Sequence, residues 1–191
     1  RNCELIAKVT SNDDDGWGMI VRYKDKNNYY RFITVADGGN GGPFRRLEKF
    51  VDGKRTVLAE EKLAYEAGKQ YEMKIRAEGH SLELWINGEK RLTASDDTFA
   101  SGKIGFMTYA DGGFVIKNVR VESDEDSSQA PESEPSVPDT ILGRVWSDDF
   151  HRKDIGPAWT VVDDPNPSGA SHWYLSNGSL IQDSNIYRTD H

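Results

Sequence analysis

Apolar and polar residues alternate with period two along most of the chain. Cys3, Leu5, Ala7 and Val9 share one face of a predicted strand, and Glu4, Ile6 and Lys8 take the other. Trp17, Met19, Val21 and Tyr23 repeat the pattern with Arg22 opposite. Tyr71, Met73, Ile75 and Ala77 alternate with Glu72, Lys74 and Arg76. Leu82, Leu84 and Ile86 follow a turn at Gly79-His80. Shorter runs at 29–35, 45–50, 55–59, 103–109 and 114–121 read as further strands. Asp52-Gly53, Asn87-Gly88 and Asp111-Gly112-Gly113 separate such runs with residues that tolerate the positive φ of tight hairpins. Runs at 145–150, 159–163, 172–175 and 179–182 extend the pattern toward the C-terminus, with Asn177-Gly178 as a turn. No segment carries an apolar stripe of helical period. Many short strands at regular spacing predict an all-β, antiparallel sandwich.

Charge divides the chain. The formal net charge is −8 over 191 residues. Seven acidic residues and no basic one fall in ESDEDSSQAPESEPSVPD, which starts at Glu122. The remainder is close to neutral. Such a segment buries too little apolar surface to fold, and its prolines and like charges extend it. The reading is a main body over 1–121, an acidic Ser/Glu/Pro linker over 122–140 and a set of completing strands over 141–191. Mean hydropathy is −0.71, and no apolar run approaches the roughly 20 residues of a membrane-spanning helix. The acidic balance speaks against a nucleic-acid partner. The lone Cys3 cannot form an internal disulfide and sits on the apolar face of its strand, where a buried, inert thiol is expected.

The stretches SNDDDGWGMIVRYKDKNNYYRF and GKQYEMKIRAEGHSLELWINGEKRLTASDDTFASGKIGFMTYADGGFVIKNVRV resemble the concanavalin A-like (laminin G/pentraxin-like) jelly-roll modules of large secreted bacterial proteins. DDDGWGMIVRYKD is also similar to part of the thrombospondin C-terminal domain. The resemblance covers nearly everything but the linker and implies a jelly-roll β-sandwich. In such modules a segment like WSDDFHRKDIGPAWTVVDDPNPSGASHWYLSNGSLIQDSNIY comes first; here the opening strands lie at the C-terminus. A sandwich without its first strands has an exposed edge that templates pairing with another chain. Three outcomes follow: the tail closes on its own chain, it enters a neighbouring subunit, or the chain is cut from a tandem array. Insertion into a neighbour is the expected one, with Trp146, Phe150, Trp159, Trp173, Leu180 and Ile181 as the assembly residues.

The fold that this resemblance implies hosts lectins, glycanases, carbohydrate-binding modules and structural units. Laminarinase-like enzymes of the fold carry Glu-x-Asp-x-x-Glu on one strand, and this chain does not. Gly-x-Ser-x-Gly and Walker-type loops are missing as well, so no enzymatic activity is expected. Asp13, Asp14, Asp15, Asp148 and Asp149 are the metal candidates, since clustered carboxylates suit calcium. In related sandwiches a calcium often lies near the first and last strands, but the last-strand position commonly held by an Asp is Lys117 here. Arg22, Tyr29, Arg31, Trp85 and Tyr109 are the glycan candidates, because aromatic rings stack on sugars and Arg bonds hydroxyls. The expected function is an extracellular or cell-surface subunit that polymerises with copies of itself into a filament or array. The alternative is a non-catalytic carbohydrate-binding module that holds a surface polysaccharide.

Overall fold

The computed structural model describes residues 2–39, 41–124, 144–163 and 169–185. The acidic linker from residue 125 onward lies outside these residues. Thirteen strands follow in chain order among the described residues: β1 (Cys3–Ser11), β2 (Gly16–Asp25), β3 (Asn28–Val35), β4 (Phe44–Val51), β5 (Lys54–Glu61), β6 (Gln70–Glu78), β7 (Ser81–Ile86), β8 (Glu89–Ser95), β9 (Lys103–Tyr109), β10 (Phe114–Ser123), β11 (Arg144–Asp148), β12 (Trp173–Leu175) and β13 (Leu180–Gln182). The turn dipeptides act as their sequence requires. Asp52, Asn87 and Asn177 have φ of 49°, 52° and 49°, each followed by a glycine at positive φ, the backbone of a two-residue hairpin matched to strand twist.

Two sheets face each other. One runs β12-β13-β10-β1-β6-β7-β8, with β11 also on β10; the other runs β5-β4-β3-β2-β9. Period-two alternation decides what lies between them. Leu5 stands opposite Ile75, and Ile75 opposite Leu84. Trp17, Met19, Val21, Tyr30, Phe32 and Leu47 come from the facing sheet. Trp17 anchors the centre, with ring centroids 5.4 Å from Phe114, 5.4 Å from Tyr65 and 6.1 Å from Phe32. Each such aromatic pair adds about 1 kcal/mol beyond its buried area.

The tail closes on its own chain. The outer edge of β10 is shared: β13 pairs Phe114 to Ile116, and β11 pairs Val119 to Ser123. Phe150 and Leu180 are 1% and 4% exposed and belong to the same core as Leu5, Trp17 and Phe114. The strands expected to enter a neighbouring subunit are accommodated here by β10 of the same chain. The edge that would template another chain is filled from within, and the apolar side chains meant for a neighbour pack at home. Trp159 and Trp173 pack against that core too, Trp146 lies at its rim, 39% exposed, and Ile181 pairs with Val115. The run 159–163 forms no strand. Its Trp159 turns inward to Phe106, Trp146 and Phe150 at centroid distances of 6.0, 5.8 and 5.8 Å. Cys3 is half-buried, and burial raises its thiol pKa.

Candidate functional site

The five-stranded sheet carries apolar side chains on both faces. Residues that alternate with the core positions build a second buried cluster of Ile33, Val35, Phe44 and Met107, with Ile20 and Tyr109 against it. Beside this cluster sits a buried ion pair. Arg31 Nε donates to Glu48 Oε2 at 2.9 Å, with side chains 7% and 0% exposed, and Arg55 Nη1 lies 3.7 Å from Oε1. Aromatic rings continue toward the β2–β3 turn: Phe50 stacks on Tyr29 at 4.7 Å, and Tyr29 meets Tyr23 at 5.9 Å. The Arg31 guanidinium covers Phe50 at 4.6 Å.

A groove of about 520 Å³ runs along this region at the β9 side. Ile20, Tyr23, Tyr29, Arg31 and Met107 line it, together with Ile155 and the run 157–162. Gly105 opens its floor, since a Cβ added there would meet nothing within 4 Å. The size is that of ordinary ligand pockets, roughly 300–1,000 Å³. Rings for stacking and Arg and Lys heads for hydrogen bonds suit a polyhydroxylated ligand.

Of the glycan candidates, Tyr29 and Arg31 line this groove and Tyr109 lies on the same face. Arg22 does not. A positive φ of 53° turns its side chain inward, where it donates to Phe99 O and Gly79 O at 2.9 Å each. It clamps two loops together. Trp85 is on the other sheet, between the ammonium groups of Lys74 and Lys90 at 4.5 and 4.9 Å. Sequence reasoning missed Tyr23 and Trp159 as groove residues. Tyr23 was legible only as part of an alternating strand, and Trp159 only as an apolar tail residue.

The metal candidates separate. Carboxylate oxygens of Asp13, Asp14 and Asp15 lie within 4.8 Å of one another in the β1–β2 turn. Asp148 does not join them. It stands opposite Val119, five residues along β10 from Phe114, or about 17 Å. Its carboxylate accepts from Phe150 N at 2.9 Å, Arg152 Nη1 and Nη2 at 2.5 and 2.8 Å, and Trp159 Nε1 at 2.8 Å. Burial pushes its pKa up, but these hydrogen bonds win and hold it low. Asp149 is exposed beside His151. The carboxylate that does approach the turn is Asp111, which the sequence showed only as a hairpin residue. Asp111 is 1% exposed and accepts from Ser11 Oγ at 2.6 Å and Gly113 N at 3.0 Å. Burial, with repulsion from Asp13 and Asp15, pushes its pKa up to about 6. Asp13 Oδ2 accepts from Gly112 N at 3.1 Å, and the Tyr65 hydroxyl donates to Asp15 O at 2.7 Å.

Comparison with known proteins bears on the fold. No protein-family model matches the chain. A crystal structure of ancestral congerin superposes with a TM-score of 0.52 at 15% identity, covering 63% of this chain and 90% of that one. The fold is a concanavalin A-like jelly roll. The carbohydrate-binding module CBM66 of Bacillus subtilis aligns with a TM-score of 0.49 at 24% identity, over 55% of this chain and 65% of that one. A SAP-like pentraxin from Limulus polyphemus aligns with a TM-score of 0.42 at 11% identity, over 63% of each chain. In sequence, 120 residues are 32% identical to a levanase of Bacillus subtilis (strain 168). That match spans 63% of this chain and 17% of the levanase.

Proposed function

We propose that this jelly roll is a non-catalytic carbohydrate-binding module of an extracellular or cell-surface protein, with the β9 groove as its glycan site. The observation that carries the reading is the 32% identity to a levanase over 120 residues. The groove supports it with two tyrosine rings, Trp159 and a buried arginine on one open surface. The carboxylates of the same sheet are engaged rather than poised for proton transfer. Glu48 is paired with Arg31, and Glu60 with Arg46. A glycosidase needs one protonated and one ionised carboxyl flanking the scissile bond.

The test is affinity electrophoresis of the whole chain in gels containing levan, inulin, starch, xylan or polygalacturonate. Retardation by at least one of them is expected. Tyr23→Ala should weaken it about fivefold, the equivalent of one aromatic contact of about 1 kcal/mol. Unchanged mobility in every gel would remove the glycan reading.

A further inference from the structure

We propose that the groove takes an acidic polysaccharide in preference to a neutral one, with Lys26 and Lys103 reading its anionic groups. This rests on the glycan-binding reading above and narrows it to a ligand class. The groove walls hold three cations, Lys26, Arg31 and Lys103, and among the described residues no carboxylate lines them. Lys103 stands across the β2–β9 ladder from Tyr23. Lys26 lies in the turn between Asp25 and Asn28 and lines the same groove as Tyr29. The Tyr29 and Tyr23 end of the aromatic row thus shares the groove with both lysines.

Both lysines are exposed and make no ion pair among the described residues. The neighbouring acids are occupied. Asp25 Oδ1 accepts from Asn27 N at 2.8 Å and Asn28 Nδ2 at 3.1 Å, within its own turn, and Glu48 holds Arg31. An ammonium or guanidinium only donates hydrogen bonds. A neutral sugar finds acceptors in the Tyr23, Tyr29 and Thr160 hydroxyls but leaves the positive charge of the walls unanswered; a carboxylate or sulfate, which only accepts, answers it.

The experiment measures binding of the whole chain to polygalacturonate, dextran sulfate and levan at low and moderate salt, with Lys26→Ala, Lys103→Ala and the double variant beside wild type. Polygalacturonate or dextran sulfate should bind more tightly than levan and lose affinity as salt rises. Each lysine removed should cost about fivefold, with the melting temperature unchanged because both side chains are exposed. The two polyanions separate carboxylate from sulfate as the group recognised. Levan binding as tight as the polyanions and insensitive to salt overturns the inference and leaves the glycan site standing. Retention of wild-type affinity by the double variant overturns the assignment of the lysines. Failure of all three polymers to bind removes both readings together.

Discussion

Glu48 gives the sharpest test of how dry the outer face of the five-stranded sheet is. Its side chain is 0% exposed, and it faces an Arg31 side chain that is 7% exposed at 2.9 Å. Glu48→Ala leaves the guanidinium buried without this carboxylate. Breaking a buried pair from one side costs about 3–5 kcal/mol, whereas replacing both partners by apolar residues of similar volume is near neutral. A domain has about 5–15 kcal/mol in all, so the single variant should lose about a fifth or more of its stability. The double variant Arg31→Met/Glu48→Leu should regain most of that loss. Urea unfolding followed by tryptophan fluorescence measures both. A single variant within about 1 kcal/mol of wild type would mean the pair behaves as a surface pair. A double variant no better than the single would also refute the argument. The folded double variant would further show whether Arg31 contributes to glycan binding apart from stability.

Asp111 has a folded pKa of about 6 against an ordinary 3.8, so the folded state favours its protonated form. That contribution is full below about pH 4 and is lost as pH rises to 6, about 2–3 kcal/mol in total. Asp111→Asn should remove this pH dependence in urea unfolding at pH 4 and pH 7 with chelator present, and an unchanged slope would count against it. Calcium at the Asp13–Asp15 turn predicts a higher melting temperature with millimolar calcium than with chelator, by mass action on the folded state; equal values dismiss the ion. Asp148→Ala frees Arg152 and the Trp159 indole from their shared acceptor. It should expose 149–163 to limited proteolysis before the sandwich unfolds, and simultaneous cleavage throughout the chain would show that this carboxylate does not hold the tail.

Much of the architecture is legible residue by residue. Leu5, Ala7 and Val9 point inward because alternation places them there, and Asn87-Gly88 turns because its residues accept positive φ. The tail strands were legible too, although Trp159 was drawn off its expected strand by Asp148 and neighbouring rings. The site was harder to read. Arg22 and Arg31 both interrupt apolar strands, yet one is a clamp and the other lines a groove. The difference lies in a local backbone reversal that alternation does not register. Trp85 and Tyr29 carry the same kind of signal but sit on opposite sheets. Asp148 and Asp111 exchanged roles for the same reason: each is an acid near a turn, and only the surrounding donors distinguish them.

The sequence alone determined where strands begin and turn and which residues share a face, because period and turn propensity act between near neighbours along the chain. Tertiary structure decided which edge receives the tail, which outer face becomes a groove and which charges stay unpaired there. Those choices depend on burial between residues far apart in sequence, such as Phe114 with Gln182 and Tyr23 with Lys103, and no local pattern encodes them.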